Sequence, residues 1–378
     1  MPVIHIHKTR SLELDGIRGI AISAVFLFHS APLIRQHSEN HIGAFVLDIF
    51  DLGWAGVDLF FVLSGFLITS ILLDTKDAAG YFQNFYARRV LRIFPLYYFF
   101  LASVAVLFLA VPVMRNKFAD VYSSQGWYWV YLQNWLTAIH SGAQLQSAFL
   151  GHFWSLAIEE QFYIFWPFLV WRFDRRSLLA VCGGLIGLSL AIRLAVASVD
   201  TSNQAQQLLY VSTVTRLDCL AMGAIAAIFL LSVEASKPQL RFLSMALGVP
   251  SLVALAIIVT HGPHRFWGNW PMTTVGLTFT GAASVALLLY GLGGSFFLKW
   301  TALRTIGKYS YALYVFHWPV ILMTNSILMH AKVTGMPFVL IFCSVATGTT
   351  VGLAYLSWHI IEKRFLAQKV RFEFIKPL

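Results

Sequence analysis

The chemistry that this sequence could perform starts with a cation and an imidazole on one long apolar segment, residues 12–33. Arg18 and His29 are eleven positions apart. That is about three helical turns plus 20°, so a helix would present both side chains on one face, about 16 Å apart. This is close to the length of an extended pantetheine arm, so the pair could hold a thioester donor beside a base. Alternatively, Asp15 and Arg18 mark the helix start and His29 bonds a neighbouring helix.

Three arginines cluster where a later apolar segment begins, in the sequence NFYARRVLRIF. Arg88 and Arg92 are four positions apart and Arg89 and Arg92 three, so a helix brings these side chains together. Guanidinium groups bind phosphate oxygens through paired hydrogen bonds. The cluster therefore predicts a clamp for the phosphates of a nucleotide-bearing donor. An anchor at the lipid headgroups is the alternative.

A polar stripe crosses the aromatic segment 151–172. Ser155 and Glu159 are four positions apart, and so are Glu159 and Tyr163. All three side chains would therefore share a helix face. In the expected topology Ser155 and Glu159 lie in the outer half of the membrane, at the depth of His29. We expect Ser155 and Tyr163 to contact substrate and Glu159 to take part in catalysis.

Glu159 and Glu160 are adjacent carboxylates in an apolar helix. Such a pair costs free energy unless a cation or a proton compensates it. A carboxylate near His29 could fix the tautomer of that imidazole, as in a general-base dyad. Glu160 is then expected to bind substrate. The alternative is a structural ion pair of these glutamates with Arg193 or Arg216.

Two polar residues stand alone in other apolar segments. Asp58, at the outer end of segment 54–74, could orient the imidazole of His29 or bind a hydroxylated acceptor. The alternative for Asp58 is a helix-start acid facing the positive end of the dipole. His317 lies near the middle of segment 307–329, where a packing role among aromatic residues is favoured over catalysis.

Arg216 and Asp218 form a third group of buried charges. They are two positions apart, so on a helix they point away from each other and each needs a partner elsewhere. Glu159, Glu160 and Asp58 are the available partners. We expect a polar cavity in the outer half of the membrane, in which Arg216 and Asp218 bind the acceptor or hold the helices together.

The composition places these residues inside a membrane protein. Of 378 residues, 58% are hydrophobic and 12% are charged, whereas a soluble domain carries about 25% charged residues. The net charge of +10 comes from basic residues in short loops, so membrane topology accounts for it and nucleic acid is not an expected partner. Cys182, Cys219 and Cys343 lie in separate apolar segments without metal-ligand spacing, so no metal site is expected.

Apolar length predicts an all-α polytopic membrane fold of ten transmembrane helices in one domain, residues 1–378. The predicted spans are 12–34, 54–74, 90–113, 151–172, 177–198, 208–232, 242–260, 272–292, 307–329 and 335–358. With the N-terminus in the cytoplasm, 20 of the 27 Lys and Arg residues lie on the cytoplasmic side and five on the other. Both termini are therefore expected to be cytoplasmic. No internal repeat typical of secondary transporters is visible.

Several stretches, taken in order, resemble the integral-membrane acyltransferase family 3, whose members O-acylate surface sugars and related acceptors. The matching stretches are LDGIRGIAISAVFLFH, GVDLFFVLSGFLIT, FYARRVLRIFPLYY, HFWSLAIEEQFY, TRLDCLAMGA, GKYSYALYVFHWPV and IEKRF. The resemblance implies ten helices, an acyl-CoA donor on the cytoplasmic side and transfer towards an acceptor at the outer face. It implies an essential role for His29, donor binding by Arg18, Arg89 and Arg92, and a catalytic or structural role for Glu159. Many members continue into an esterase-like domain of the SGNH type, which is not expected in this chain.

These observations together predict an O-acyltransferase of a bacterial inner membrane that moves an acetyl group from acyl-CoA to a saccharide-like or glycolipid acceptor. Arg18, Arg88, Arg89 and Arg92 would bind the donor. His29 would act as general base or form a transient acyl-imidazole, and both routes stay open. The alternative is a transporter or flippase for a lipid-linked or small-molecule glycoside, without acyl chemistry; the missing repeat and the arginine cluster disfavour it. The acceptor, the acyl chain length and the oligomeric state are left open.

Overall fold

The computed structural model of the protein describes residues 11–37, 41–140, 149–261 and 268–374. Within these ranges the chain is helical with short connections and contains no strand, so the predicted all-α class is confirmed. Four basic residues used in the predicted topology lie outside these ranges: Lys8, Arg10, Arg265 and Lys376. The cytoplasmic location of both termini stays a prediction.

Eighteen α-helices are described, and we number them in chain order. They are α1 Leu12–Arg35, α2 His41–Asp51, α3 Ala55–Asp74, α4 Tyr81–Ala110, α5 Pro112–Lys117, α6 Ala119–Ser123, α7 Gln125–Trp129, α8 Gln133–His140, α9 Trp154–Arg172, α10 Arg175–Val199, α11 Asn203–Val211, α12 Thr213–Ser232, α13 Lys237–His261, α14 Leu277–Leu292, α15 Thr301–Lys308, α16 Ser310–His330, α17 Gly335–Ser357 and α18 Lys363–Ala367. Nine segments in the described part of the chain are long and apolar enough to cross a membrane, and they contain α1, α3, α4, α10, α12, α13, α14, α16 and α17.

The remaining predicted span, 151–172, forms α9 but is not among these nine. Adjacent glutamates and a glutamine in one turn make it less apolar than the others. Neighbouring elements satisfy its polar side chains. The amide of Gln161 donates to the side-chain oxygen of Asn134 at 2.9 Å, and the indole N–H of Trp166 donates to the hydroxyl of Thr69 at 2.8 Å. These bonds allow a partly polar helix to pack inside the bundle.

Two helix boundaries differ from the predicted spans. The predicted span 208–232 is divided, because Ser212 has an extended backbone (φ −77°, ψ 138°) between α11 and α12. The predicted span 90–113 begins earlier, after Gly80, whose φ of 71° is a left-handed conformation that suits glycine. The arginine cluster therefore lies two turns inside α4 rather than at its first turn.

The centre of the bundle is the pair α3 and α12, which pack extensively along their lengths. A Cβ atom on Gly65 would overlap the carbonyl of Leu220, and one on Gly223 would overlap the carbonyl of Val62. Small residues allow helix backbones in membranes to approach this closely. In the most apolar window of the α3 segment 72% of the residues are buried, compared with 11% for α13. Helix α1 packs against α3, α15 and α16 and brings its polar residues to this centre.

Candidate active site

A cavity of about 860 Å³, including space open to its surroundings, lies between α1, α3, α4, α9 and α16. Its polar lining residues are Arg18, Ser64, Arg89, Arg92, Ser155, Glu159, Tyr163, Ser310, Tyr311 and Tyr314. This set contains three guanidinium groups and one carboxylate. Its surplus of positive charge in a largely apolar surrounding favours an anionic ligand.

Helix α1 contributes Arg18 to this cavity. One terminal nitrogen of Arg18 donates to a carboxylate oxygen of Asp15 at 3.1 Å, one helical turn before it. The side chain of Asp15 is 4% exposed and that of Arg18 is 27% exposed. Asp15 therefore holds one terminal nitrogen of the guanidinium, and Arg18 lines the cavity.

Helix α4 contributes Arg89, whose guanidinium carbon lies 5.7 Å from the ring centre of Phe85 and 5.8 Å from that of Tyr163. In the part of the chain that the structure describes, the Nε atom of Arg89 is buried without a hydrogen-bond partner. An unpaired guanidinium N–H beside a cavity is a donor that an incoming anion can use. Arg92, nearly one turn later, lines the same cavity.

Helix α9 contributes the carboxylate of Glu159. It accepts hydrogen bonds from the hydroxyl of Ser64 at 2.9 Å and from that of Tyr163 at 3.2 Å. The predicted stripe of Ser155, Glu159 and Tyr163 is thus brought to one cavity wall. Glu160 is buried on the next face of α9 and is not among the described lining residues.

A pair of hydroxyl groups closes one end of the cavity. The hydroxyl of Tyr314 donates to the backbone carbonyl of His152 at 2.6 Å, and its oxygen lies 2.6 Å from the hydroxyl oxygen of Ser155. Because the single proton of the tyrosine goes to the carbonyl, Ser155 donates to Tyr314. Both side chains are buried, so this contact holds α9 and α16 together at the cavity end.

The imidazole of His29 is not among the described lining residues, but it is connected to the lining residue Tyr314 through His317. Its Nδ1 atom is 3.0 Å from Nε2 of His317, and the Nδ1 atom of His317 is 2.7 Å from the backbone carbonyl of Tyr314. The ring of Trp318 packs on His29 with ring centres 4.8 Å apart. Tyr314 therefore lines the cavity on one side and supports the histidine pair on the other.

The structure corrects the predicted partner of His29. We expected Glu159 or Asp58 to contact this imidazole, but in the described contacts His317 takes that position. Glu159 instead bonds Ser64 and Tyr163. The spacing within one helix predicts a shared face, but it does not reveal which neighbouring helix supplies the partner.

Two fully buried ion pairs account for four other charged residues. Arg216 donates to Asp58, linking α12 to α3. Arg193 donates to Asp218 at 2.6 Å and to the hydroxyl of Thr278 at 2.5 Å, linking α10, α12 and α14. All four charged side chains are 0% exposed. They are not in the described cavity lining, so the predicted outer cavity around Arg216 and Asp218 is instead a pair of helix contacts.

Arg88 also lies away from the cavity. Its guanidinium donates to the backbone carbonyls of Lys369 at 3.2 Å and Phe372 at 3.1 Å. The ring of Phe374 lies 5.8 Å from the same group. Adjacent residues on a helix point about 100° apart, so Arg88 contacts the C-terminal segment while its neighbour Arg89 faces the cavity.

The sequence analysis did not single out Ser64, Ser310, Tyr311 or Tyr314, and it favoured a packing role for His317. Four of these five lie in the stretch SYALYVFH, at the start of α16. Their spacing of three positions along Tyr311, Tyr314 and His317 was the available signal, because such residues share a helix face. No cluster of His, Cys, Asp and Glu side chains able to hold a metal ion occurs in the described ranges.

Comparison with known proteins identifies related chains. The model of a family described as an acyltransferase domain (acyltransferase family 3) matches residues 11–358. Bacillus subtilis YrhL, whose name gives peptidoglycan O-acetylation as a provisional activity, is 30% identical over 97% of this chain and 57% of its own length. The O-acetyltransferase OatA of Staphylococcus aureus is 26% identical over 94% of this chain and 58% of its own length. The peptidoglycan O-acetyltransferase OatA of Listeria monocytogenes is 29% identical over 84% and 50%, respectively.

The chain thus spans between 50% and 58% of the length of these relatives. No solved structure matches it significantly.

Proposed function

This chain belongs to the family of acyltransferase domains, and from that premise we propose that it is a membrane O-acetyltransferase. The donor is acyl-CoA, acetyl-CoA in the simplest case, and it binds from the cytoplasmic side of a bacterial inner membrane. The acceptor is a saccharide hydroxyl at the outer face. The relatives named above make the sugars of peptidoglycan the acceptor to test first.

The observation that carries this proposal is the charge of the cavity. Three guanidinium groups line it, and one of them, Arg89, keeps an unpaired buried N–H. A donor with several phosphate groups would satisfy these cations. A carrier for neutral glycosides would have no use for them, so the cavity supports the enzyme over a carrier of that kind. Transfer of a labelled acetyl group separates the enzyme from a flippase for anionic lipid-linked glycosides.

The charged lining residues have proposed parts in donor binding. Arg18, Arg89 and Arg92 bind the phosphates, and Glu159 accepts hydrogen bonds from amide N–H groups of the pantetheine arm. Arg18 and His29 are eleven positions apart on α1, a rise of about 16 Å. This rise is close to the length of an extended pantetheine arm, so the cations and the imidazole suit the two ends of one donor.

The reaction follows from the imidazole. As general base, His29 takes the proton of the acceptor hydroxyl while that oxygen bonds to the thioester carbonyl carbon. The carbon–sulfur bond breaks, and the imidazolium returns the proton to the departing thiolate, giving an ester and a thiol. In the second route the imidazole nitrogen bonds to the thioester carbonyl carbon, the carbon–sulfur bond breaks and the thiolate departs. The acceptor oxygen then bonds to the acyl carbon, the carbon–nitrogen bond breaks, and the hydroxyl proton goes to the thiolate, so that the products are again an ester and a thiol. The described residues are compatible with both routes.

The test is transfer of a labelled acetyl group. Purified protein in liposomes is given acetyl-labelled acetyl-CoA and soluble peptidoglycan oligosaccharides, and mass spectrometry detects the added acetyl mass. His29→Ala is expected to lower the transfer rate about 100-fold or more, because proton transfer to a positioned base is lost. His330→Ala, at the far end of α16, is the matched control and should transfer at the rate of the unmodified protein.

Three outcomes decide between the candidate functions. Loss of transfer in the His29 variant alone supports the acetyltransferase. Full transfer by that variant overturns the role of His29. An intact thioester in the unmodified protein, together with movement of the oligosaccharide across the bilayer, supports the transporter instead.

A further inference from the structure

We propose that His317 is a positioning residue that fixes the proton of His29 on Nδ1 and leaves Nε2 of His29 as the nitrogen that reacts. This inference rests on the proposed function, since it assigns the reactive atom of the same imidazole. His317 thereby has a role in the reaction, whereas its position among aromatic residues in the sequence had favoured a packing role.

The carbonyl sets the tautomer of His317. Its Nδ1 atom lies 2.7 Å from the backbone oxygen of Tyr314. A carbonyl oxygen only accepts hydrogen bonds, so Nδ1 of His317 carries a proton. The residue three positions earlier on the same helix supplies this carbonyl, and the contact is therefore set by the geometry of α16.

The surroundings determine the charge of His317. The side chain is fully buried, and the side chains whose rings it contacts are His29, His152 and Tyr314. None of these is acidic. An imidazolium in this position would be a buried cation without a counterion, which is strongly unfavourable. A neutral imidazole with its proton on Nδ1 has a lone pair on Nε2.

That lone pair sets the tautomer of His29. Nε2 of His317 lies 3.0 Å from Nδ1 of His29, so the lone pair accepts the proton that His29 carries on Nδ1. The second nitrogen of His29, Nε2, is then unprotonated and free to take a proton or an acyl group. When Nε2 takes the acceptor's proton, the Nδ1–H bond to His317 persists and stabilises the imidazolium. His317 thus performs the orienting role of a carboxylate without placing a second charge beside the imidazole.

Two substitutions of similar chemistry but different reach test this assignment. In His317→Gln the amide oxygen can occupy the position of Nε2 and accept the proton of His29. In His317→Asn the amide ends near the position of Nδ1, where it reaches the carbonyl of Tyr314 but not His29. We expect the glutamine variant to keep kcat for acetyl transfer within about fivefold. The asparagine variant should lose about 10- to 100-fold.

Controls separate positioning from folding. The donor KM of both variants should stay within about twofold, because His317 does not line the phosphate-binding part of the cavity. His330→Asn, on the same helix, should match the unmodified protein. Equal loss in the glutamine and asparagine variants would indicate a structural role only and overturn the proposal. Full activity of the asparagine variant would overturn it as well.

A second measurement needs no acceptor. The ¹⁵N spectrum of histidine-labelled protein in liposomes, compared with that of His29→Ala, isolates the ring nitrogens of His29. A proton on Nδ1 and none on Nε2 supports the proposal, and the reverse overturns it. If the unmodified protein transfers no acetyl group, the proposed function fails instead, and the spectrum still decides the tautomer.

Discussion

Arg216 and Arg89 lie in similar aromatic surroundings but have different partners. The guanidinium of Arg216 is 5.6 Å from the ring of Phe61 and 5.1 Å from that of Tyr210, and the guanidinium of Arg89 lies between two rings at 5.7 and 5.8 Å. Arg216 is fully buried and bonded to the carboxylate of Asp58, whereas Arg89 lines a cavity and has no carboxylate partner in the described ion pairs. Both guanidinium groups have an N–H without a described hydrogen bond. A carboxylate partner, rather than the aromatic setting, therefore distinguishes an arginine that joins helices from an arginine whose charge is available to an anionic ligand.

The largest expected effect concerns the paired arginine. Asp58→Asn should destabilise the protein by about 3–5 kcal/mol, because it leaves the buried guanidinium of Arg216 without a counterion. Thermal unfolding of the detergent-solubilised protein, followed by size-exclusion chromatography, measures the loss. Asp77→Asn, at an exposed position, is the control and should change stability by less than about 0.5 kcal/mol.

Replacing both partners of the pair sharpens this prediction. Asp58→Leu combined with Arg216→Met removes both charges, so the double variant should recover much of the stability that Asp58→Asn loses. If Asp58→Asn were as stable as the unmodified protein, the pair would not hold α3 and α12 together.

The next effect concerns the unpaired arginine. Arg89→Gln should raise the donor KM about 10- to 100-fold, because one charge-assisted contact to phosphate contributes about 1.5–3 kcal/mol. Its melting temperature should stay close to that of the unmodified protein, since no ion pair is broken. Initial rates at varied acetyl-CoA concentration measure KM. An unchanged KM together with a large loss of stability would give Arg89 the same role as Arg216.

The smallest effect on donor binding is expected for Arg88, the residue adjacent to Arg89. Arg88→Gln removes an equal charge from the same helix, but its guanidinium bonds carbonyls of the C-terminal segment. The donor KM should therefore change by less than about threefold. Limited proteolysis should instead cut the segment around Lys369 faster than in the unmodified protein. A rise in KM as large as that of Arg89→Gln would return Arg88 to the donor site.

Several features of the fold and the site could be predicted from the sequence. The lengths of the apolar segments predicted an all-α membrane protein, and nine of the ten predicted spans contain helices apolar enough to cross. Residues that were predicted to share a helix face also contact each other in the structure. Glu159 and Tyr163, four positions apart, are joined by a hydrogen bond. Asp58 was one of the partners that the sequence allowed for Arg216.

Contacts between helices could not be predicted in the same way. His29 bonds His317 and Glu159 bonds Ser64, and each pair is separated by many residues along the chain. Which helices become neighbours depends on close packing at positions such as Gly65 and on the order of helices around the centre. A single sequence contains no direct record of either.

The contact of Arg88 with the C-terminal segment has a consequence for the timing of assembly. The carbonyls that hold Arg88 belong to residues 281 and 284 positions later in the chain. A ribosome therefore releases the arginine-bearing turn of α4 long before the residues that brace it exist. During biosynthesis this turn of α4 therefore lacks these contacts until residues 369–372 have been made.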